Sequence, residues 1–390
     1  MTAYIAGYAR TPFVKFTGQF AAQPATVLGA HAAKAALARA GVSPEQVDQV
    51  VAGQVLQGGA GQNPARQTAV GAGVPMNVPA QTINVVCLSG TEAVAQAARL
   101  INAGEADVVL AVGQESMSLA PHVMPMRAGQ KYGNATLIDT VDHDGLTDAF
   151  DRIAMGALTE SGNVPLGLTR EQQDEFSAAS HQRAAASAEF WAGEIEPFTV
   201  ASRRGDTVVS SDDGVRADTT AEGLAGLRPA FSKDGTITAG NASQITDGAA
   251  ALVIVSAGAI EKFGLNPIAS IEATAFVAGP DTHLHSQPSN AIAAALAKLP
   301  GVAASDLAAI EINEAFAAVG LQSMKELGVD PAVVNAHGGA IALGHPIGAS
   351  GARIVGTLAR RLAEAGSGSL GAVGICGGGG QGSAVVLKAL

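Results

Sequence analysis

The stretch around residue 87 constrains the fold more than any other. Gln81–Val86 reads as a strand, Ser89-Gly90 follows at once, and a helical pattern begins at Thr91. In that pattern Val94, Ala97, Ala98 and Ile101 stand at i, i+3, i+4 and i+7, so one face is apolar. Asp107–Val112 returns as a strand. Strand, helix and strand of this length close by a crossover, which predicts a parallel sheet with helices packed on it, an α/β fold. The strand Tyr4–Tyr8, the helix Ala25–Ala40 and the strand Val47–Val55 fit the same plan.

The last third repeats it. Leu307–Ile312 and Val333–Ala336 read as strands, with the helix Ala315–Leu327 between them. After a glycine-rich turn comes a helix carrying Ile354, Val355, Leu358 and Leu362, then the strands Leu370–Cys376 and Ser383–Leu387. The apolar run Gly248–Ser256 resembles Gly382–Leu387. Two similar halves are therefore expected. Over roughly 119–244 the texture changes: Met, Pro, Gly and charged residues are frequent, and Thr169-Arg170-Glu171-Gln172 has the form of a capping box. Long insertions in α/β enzymes often carry binding function.

Hydrophobic residues at 47% and charged residues at 15% exclude a disordered chain. The net charge of −11 argues against nucleic-acid binding, which leaves a basic footprint. It leaves room for a small anionic ligand at a local basic patch. No uncharged apolar run reaches the length of a membrane span, and the amino-terminal residues do not read as a secretory leader. Two cysteines in 390 residues are not a disulfide framework, so a cytoplasmic enzyme is expected.

Cys87 ends a strand just before a helix. A thiol there meets unpaired backbone N–H groups and the positive end of the helix dipole, both of which favour the thiolate. The layout resembles a nucleophile elbow; the alternative is an inert buried cysteine. His345 sits among glycines in Gly344-His345-Pro346, where a neutral imidazole can take a thiol proton; the alternative is a solvated turn histidine. Cys376 enters Gly377-Gly378-Gly379-Gly380-Gln381-Gly382, a loop able to aim N–H groups at an oxyanion or simply to turn the chain. Asn313 either caps a helix or holds a water or carbonyl oxygen with its amide. Together these place two thiols, an imidazole and an amide at the carboxyl ends of predicted strands, where open α/β sheets bind ligands. The cysteines lack metal-ligand spacing, and neither a Walker loop nor a dinucleotide fingerprint is present.

Five segments stand in order along the chain: Asn84-Val85-Val86-Cys87-Leu88-Ser89-Gly90; Asn241-Ala242-Ser243 with Asp247-Gly248-Ala249-Ala250; Asn313-Glu314-Ala315-Phe316; Gly344-His345-Pro346; and Cys376 with its glycine loop. In them the chain resembles the thiolase family, on its acetyl-CoA acetyltransferase branch, essentially from end to end. The resemblance implies a five-layered αβαβα fold of two related βαβ halves. These would be residues 1–118 with 245–267, and residues 268–390, with a loop domain at 119–244 that docks coenzyme A. It implies that Cys87 carries the acyl group, that His345 activates it, and that Cys376 moves the α-proton of the second acetyl-CoA. One oxyanion hole would use His345 and a water held by Asn313, the other the N–H groups of Cys87 and Gly378. Ser243 would face the pantetheine and Arg216 the nucleotide, with Leu146, Met155, Phe231 and Phe316 at further binding positions. Arg203 and Arg204 either steer the CoA phosphates or form a solvated basic turn.

The implied reaction is reversible Claisen condensation of two acetyl-CoA to acetoacetyl-CoA and CoA. Coenzyme A would be a substrate, with no metal and no permanently bound cofactor. A homotetramer of tight dimers is implied, with Met117–Ile138, including Arg127 and Lys131, as the tetramer-contact loop. Some positions depart from the family pattern. Ala154-Met155 replaces a common His-Met, Leu284-His285-Ser286-Gln287-Pro288 replaces Met-Gly-x-Gly-Pro, and His337 stands where Asn is frequent. These bear on acyl-chain preference. The alternatives are a 3-ketoacyl-CoA thiolase for longer chains and a non-catalytic thiolase-like lipid-binding protein. A decarboxylating ketoacyl synthase fits poorly, because Cys376 occupies the place of a histidine.

Overall fold

The structure, a computed structural model, describes residues 2–203 and 205–390. Among them one sheet of ten strands runs through the molecule. Nine form its path: β1 (Ala3–Arg10), β2 (Gln49–Gly53), β3 (Ala80–Ile83), β4 (Val108–Glu115), β5 (Thr246–Val255), β6 (Ala269–Ala278), β7 (Leu307–Ile312), β8 (Leu370–Gly377) and β9 (Gln381–Ala389). Their spatial order is β7-β8-β9-β6-β1-β5-β4-β2-β3. The helices that matter here are α1 (Ala25–Ala40), α2 (Pro64–Gly71), α3 (Ser89–Ala103), α4 (Met155–Leu166), α5 (Arg170–Ala186), α6 (Ala188–Glu194), α7 (Gln287–Leu296), α8 (Ala317–Leu327) and α9 (Ser350–Ala365).

The two halves repeat pair by pair. In the first, β1 and β4 flank β5 antiparallel, while β2 lies parallel to β4 and β3. In the second, β6 and β8 flank β9 antiparallel, and β7 lies parallel to β8. Even the irregularity recurs: the register slips between Ile5 and Gly7 on β1 and between Ile271 and Ala273 on β6. The halves join where Tyr4 of β1 meets Ser270 of β6.

The parallel pairing expected of the crossover units holds for β2 with β3 and β4 and for β7 with β8, while the sheet as a whole is mixed. Val333–Ala336 is not a strand. Asn335 adopts a positive φ of 46° and spends its amide on both backbone groups of Ile312, so only Val334 bridges to Ile310. Predicted helix starts shift by two residues, to Ser89 and Ala317.

The helices α1 and α2 cover one outer face and α7 and α8 the other. Between the half-sheets lie α3 and α9, packed on each other and on strands of both halves in the largest apolar cluster. Ile354, Val355, Leu358 and Leu362 of α9 are all fully buried there. The two helices touch at their first turns. A Cβ on Gly90 would lie 2.5 Å from the Ala352 nitrogen, and one on Gly351 would strike the Thr91 nitrogen, so both positions need glycine.

In the insert, Thr169 caps α5 with the reciprocal bonds of a capping box. The insert is tied to the sheet by Arg10, fully buried, whose guanidinium donates to Glu194 Oε2 (2.9 Å) and Asp212 (2.7 and 2.8 Å). Arg10→Ala would strand two buried carboxylates and is expected to lower unfolding stability by about 3–5 kcal/mol. Urea denaturation checks this; a loss below about 1 kcal/mol, the range of exposed pairs, contradicts it. Among the described residues no helix is long and apolar enough to cross a membrane.

Candidate active site

Cys87 sits on a strained turn between β3 and α3. The residue before it, Val86, is β-branched yet has φ +53°, a conformation costing of order 1–3 kcal/mol that must be held by its surroundings. It is held on both sides. The Ser89 hydroxyl donates to the Val86 carbonyl (2.6 Å) and accepts the Val85 N–H (3.0 Å). The Asn84 amide accepts the Val86 N–H (3.0 Å) and donates to Val55 (3.2 Å). The turn presents the thiol to a cavity of about 300 Å³.

Cys87 is half-buried as a residue, but its sulfur faces this cavity rather than bulk water. Burial pushes the thiol up to about 12; the N–H groups of Cys87 and Gly378 reach the sulfur and oppose the rise, and Glu115 adds to it. The thiolate expected from the helix dipole is therefore corrected: desolvation outweighs the dipole, and the resting group is a thiol.

His345 lies in the turn leading into α9. Its backbone N–H donates to the Gln244 carbonyl (2.9 Å), and the Gln244 side chain in turn donates to Gly214 and Ile341. Ring Nδ1 lies 2.6 Å from the Ser350 hydroxyl, which itself donates to the Pro346 carbonyl (3.2 Å). With that hydrogen committed, Nδ1 is the donor and Nε2 carries the free lone pair. Nε2 is buried and has no protein partner among the described residues. Burial first, then the nearby Arg353 charge, hold the imidazole down to about 3, so it is neutral through the physiological range.

This has a consequence for stability. The unfolded chain protonates the ring near 6.5 and the folded protein only near 3, so the unfolded state binds more protons across that window and stability falls as pH drops through it. His345→Gln is expected to lose less of its urea midpoint than the unmutated protein between about pH 7.5 and about pH 5. An equal loss in both would contradict the neutral buried ring.

Cys376 ends β8 and is buried; burial pushes its thiol well above the usual range, and a negative charge on neighbouring Cys87 would raise it further. The hairpin after it turns through Gly379 and Gly380, both at positive φ, and places Gly378 on the cavity. The same cavity is lined by His345, Ser243, Leu146, Met155, Phe231 and Phe316, and by Ala154 and Leu284 from the departing segments. Phe231 and Phe316 meet edge-on at 6.3 Å. Ser243 is set by its N–H bond to Ala315 (3.0 Å), in a segment that pairs with the start of α8.

Asn313 does not cap α8: that helix begins at Ala317 with Phe316 before it and no side-chain cap. The Asn313 amide is fully buried, outside the cavity lining, and neither of its polar atoms has a protein partner among the described residues. Arg216 is exposed on the insert and does not line the cavity; its N–H donates to His181 (3.2 Å). Arg203 is exposed, and Arg204 lies outside the described residues.

Sequence reasoning passed over Glu115, Gln244, Ser350 and Arg353. Only Glu115 carried a signal: a carboxylate at the carboxyl end of a strand whose first six residues carry no polar side chain.

Comparison with known proteins gives the family. The thiolase N-terminal domain model matches residues 3–258 and the thiolase C-terminal domain model residues 265–389. A probable acetyl-CoA acetyltransferase of Mycolicibacterium smegmatis is 54% identical over 97% of this chain and 98% of its own. Another, from Mycobacterium tuberculosis, is 52% identical over 100% of this chain and 99% of its own. The crystal structure of the Bacillus anthracis acetyl-CoA acetyltransferase superposes with a TM-score of 0.95 at 38% identity, covering 100% of this chain and 99% of that one. Matched over nearly its whole length by both domain models, the chain belongs to the thiolase family.

Proposed function

We propose that this chain is an acetyl-CoA C-acetyltransferase that interconverts two acetyl-CoA with acetoacetyl-CoA and CoA through an acetyl-Cys87 intermediate. The observation that carries the reading is the convergence of Cys87, the unpaired Nε2 face of His345 and Cys376 on one apolar-walled cavity. Relatives bearing that activity in their names, at about half identity over the full length, support it.

In the cleavage direction Cys87 gives its proton to His345 Nε2 as the sulfur attacks the 3-keto carbon of acetoacetyl-CoA. The C2–C3 bond then breaks, its electron pair goes to C2 as an enolate, and Cys376 delivers its proton there. Acetyl-CoA leaves behind acetyl-Cys87, an imidazolium and a Cys376 thiolate. CoA gives its thiol proton to Cys376 and attacks the acetyl group; Cys87 departs and recovers its proton from His345. Synthesis is the reverse. Two thiols held protonated by burial suit this cycle, because each loses its proton only to a partner already in place. The N–H groups of Cys87 and Gly378 face one developing oxyanion, and His345 with a water held by the buried, unpaired amide of Asn313 serves the other.

Coenzyme A acts as substrate, with its pantetheine along Ser243 and its nucleotide toward exposed Arg216; no resident cofactor or metal takes part. Loss of acetoacetyl-CoA on incubation with CoA tests the reading. No loss with the short substrate, but cleavage of longer 3-ketoacyl-CoA, would move the assignment to a long-chain thiolase.

The segment from Met117 to Ile138 exposes Leu119, Val123, Met126, Tyr132 and Leu137, with Tyr132 97% exposed. Such side chains need cover, and we read them as the contact of a cytoplasmic homotetramer built from tight dimers. Light scattering should give four times the chain mass; a monomer sinks the assembly.

A further inference from the structure

Glu115 closes β4, all of whose residues are buried, and lies outside every motif that carried the functional reading. Among the described residues no cation pairs with its carboxylate. Instead three backbone N–H groups do: Val55 (3.0 Å) and Gly348 (3.0 Å) on Oε2, and Leu56 (3.1 Å) on Oε1. Val55 and Leu56 follow β2, and Gly348 belongs to the turn between His345 and α9. With Met117, Val141 and Ile347, the Val55 and Leu56 side chains form an apolar cluster against which Cys87 packs. One carboxylate therefore fastens that cluster and the histidine turn to the same point on a central strand. The approach is close: a Cβ on Gly348 would lie 2.7 Å from Oε2.

We propose that Glu115 is a positioning residue of this site: it sets His345 against Cys87 by gripping the Gly348 turn, and, held by N–H groups of the Val55–Leu56 segment that Cys87 packs on, its charge adds to the cost of a second negative charge at the Cys87 sulfur. The inference rests on the reading of Cys87 as acyl carrier. An ionised carboxylate only accepts hydrogen bonds, which matches three converging donors. Burial nevertheless pushes Glu115 up to about 7; the three N–H groups oppose the rise and Asp247 adds to it. The titratable groups facing it are Asp247 on β5 and Cys87 ahead of α3, while the β2 end and the histidine turn face it with N–H groups. Burial keeps the thiol protonated and ionised Glu115 adds to that, so the Cys87 proton leaves toward His345.

Glu115→Gln keeps the shape and a carbonyl able to hold the Val55 and Gly348 bonds, but removes the charge and turns a donor toward Leu56. The test follows Cys87 alkylation by iodoacetamide against pH, located by peptide mass spectrometry, beside kcat and KM for acetoacetyl-CoA cleavage. The variant's alkylation profile is expected to move to lower pH by about half a unit or more, with kcat down about tenfold and KM within about threefold. An unmoved profile overturns the proposal, whether or not kcat falls, because a merely structural role would lower kcat without moving it. If the variant does not fold, the unmutated protein decides. Its alkylation profile should bend where Glu115 ionises; a single slope through neutrality overturns the proposal. Acetylation of Cys87 in the unmutated protein is checked in the same samples, and its absence would count against the acyl-carrier reading rather than against Glu115.

Discussion

Cys87→Ala is expected to abolish turnover, lowering kcat by about four orders of magnitude or more, the scale seen when a nucleophile is removed from a preorganised site. The rest of the cavity should survive the change. The strained turn is held by Ser89 and Asn84, not by the sulfur, and the residue is half-buried, so little packing is lost. What disappears is the one sulfur set on a strained turn between the Gly378 N–H and the start of α3. Intact-mass measurement after incubation with acetyl-CoA should show an acetyl increment on the unmutated protein and none on the variant. An increment that persists on the variant would place the acyl group elsewhere and remove the basis of the mechanism.

Cys376→Ser separates the two halves of the reaction. Serine is smaller, its hydroxyl is far less acidic than a thiol, and the site is already one where burial opposes charge. Acetylation of Cys87 needs His345 and should continue. Proton delivery to the enolate, or its removal from acetyl-CoA, should fall by about 10²–10⁴-fold, the usual worth of a positioned acid or base. The diagnostic is a ratio: acetyl transfer to Cys87 retained, acetoacetyl-CoA cleavage lost. Equal loss of both would mean that Cys376 supports the nucleophile instead.

Much of this arrangement was legible in the chain because its signals are local. The apolar face of α3, the Thr169 box and the placing of Cys87 just past β3 and of Cys376 at the end of β8 all follow from neighbours within a few residues, whereas His345, expected at a strand end, lies in a helix-to-helix turn. What was misread depends on partners distant in sequence. The return from β4 to β5 runs through the long insert, so its antiparallel sense left no mark. Of the two readings of the Gly377–Gly382 loop, the turn is what β8 and β9 realise as a hairpin, and Gly378 still faces the cavity. The Cys87 thiolate was inferred from one helix end, but protonation is decided by burial that other segments impose. Glu115 falls outside the expected strand Asp107–Val112, and its role shows only where Gly348, far along the chain, comes within 3.0 Å of it.

The contact of Gly90 with Gly351 sets two like poles nose to nose. Each helix start carries roughly half a positive elementary charge, and α3 and α9, which begin just after Cys87 and after the His345 turn, bring theirs together at that contact. In a neutral cavity the two repel, and the apolar packing of the central layer holds them together. The arrival of an anion, whether alkoxide or enolate, turns that mutual repulsion into shared attraction. The scaffold thus stores a bias toward negatively charged intermediates before any substrate enters, and two residues without side chains are the reason it can.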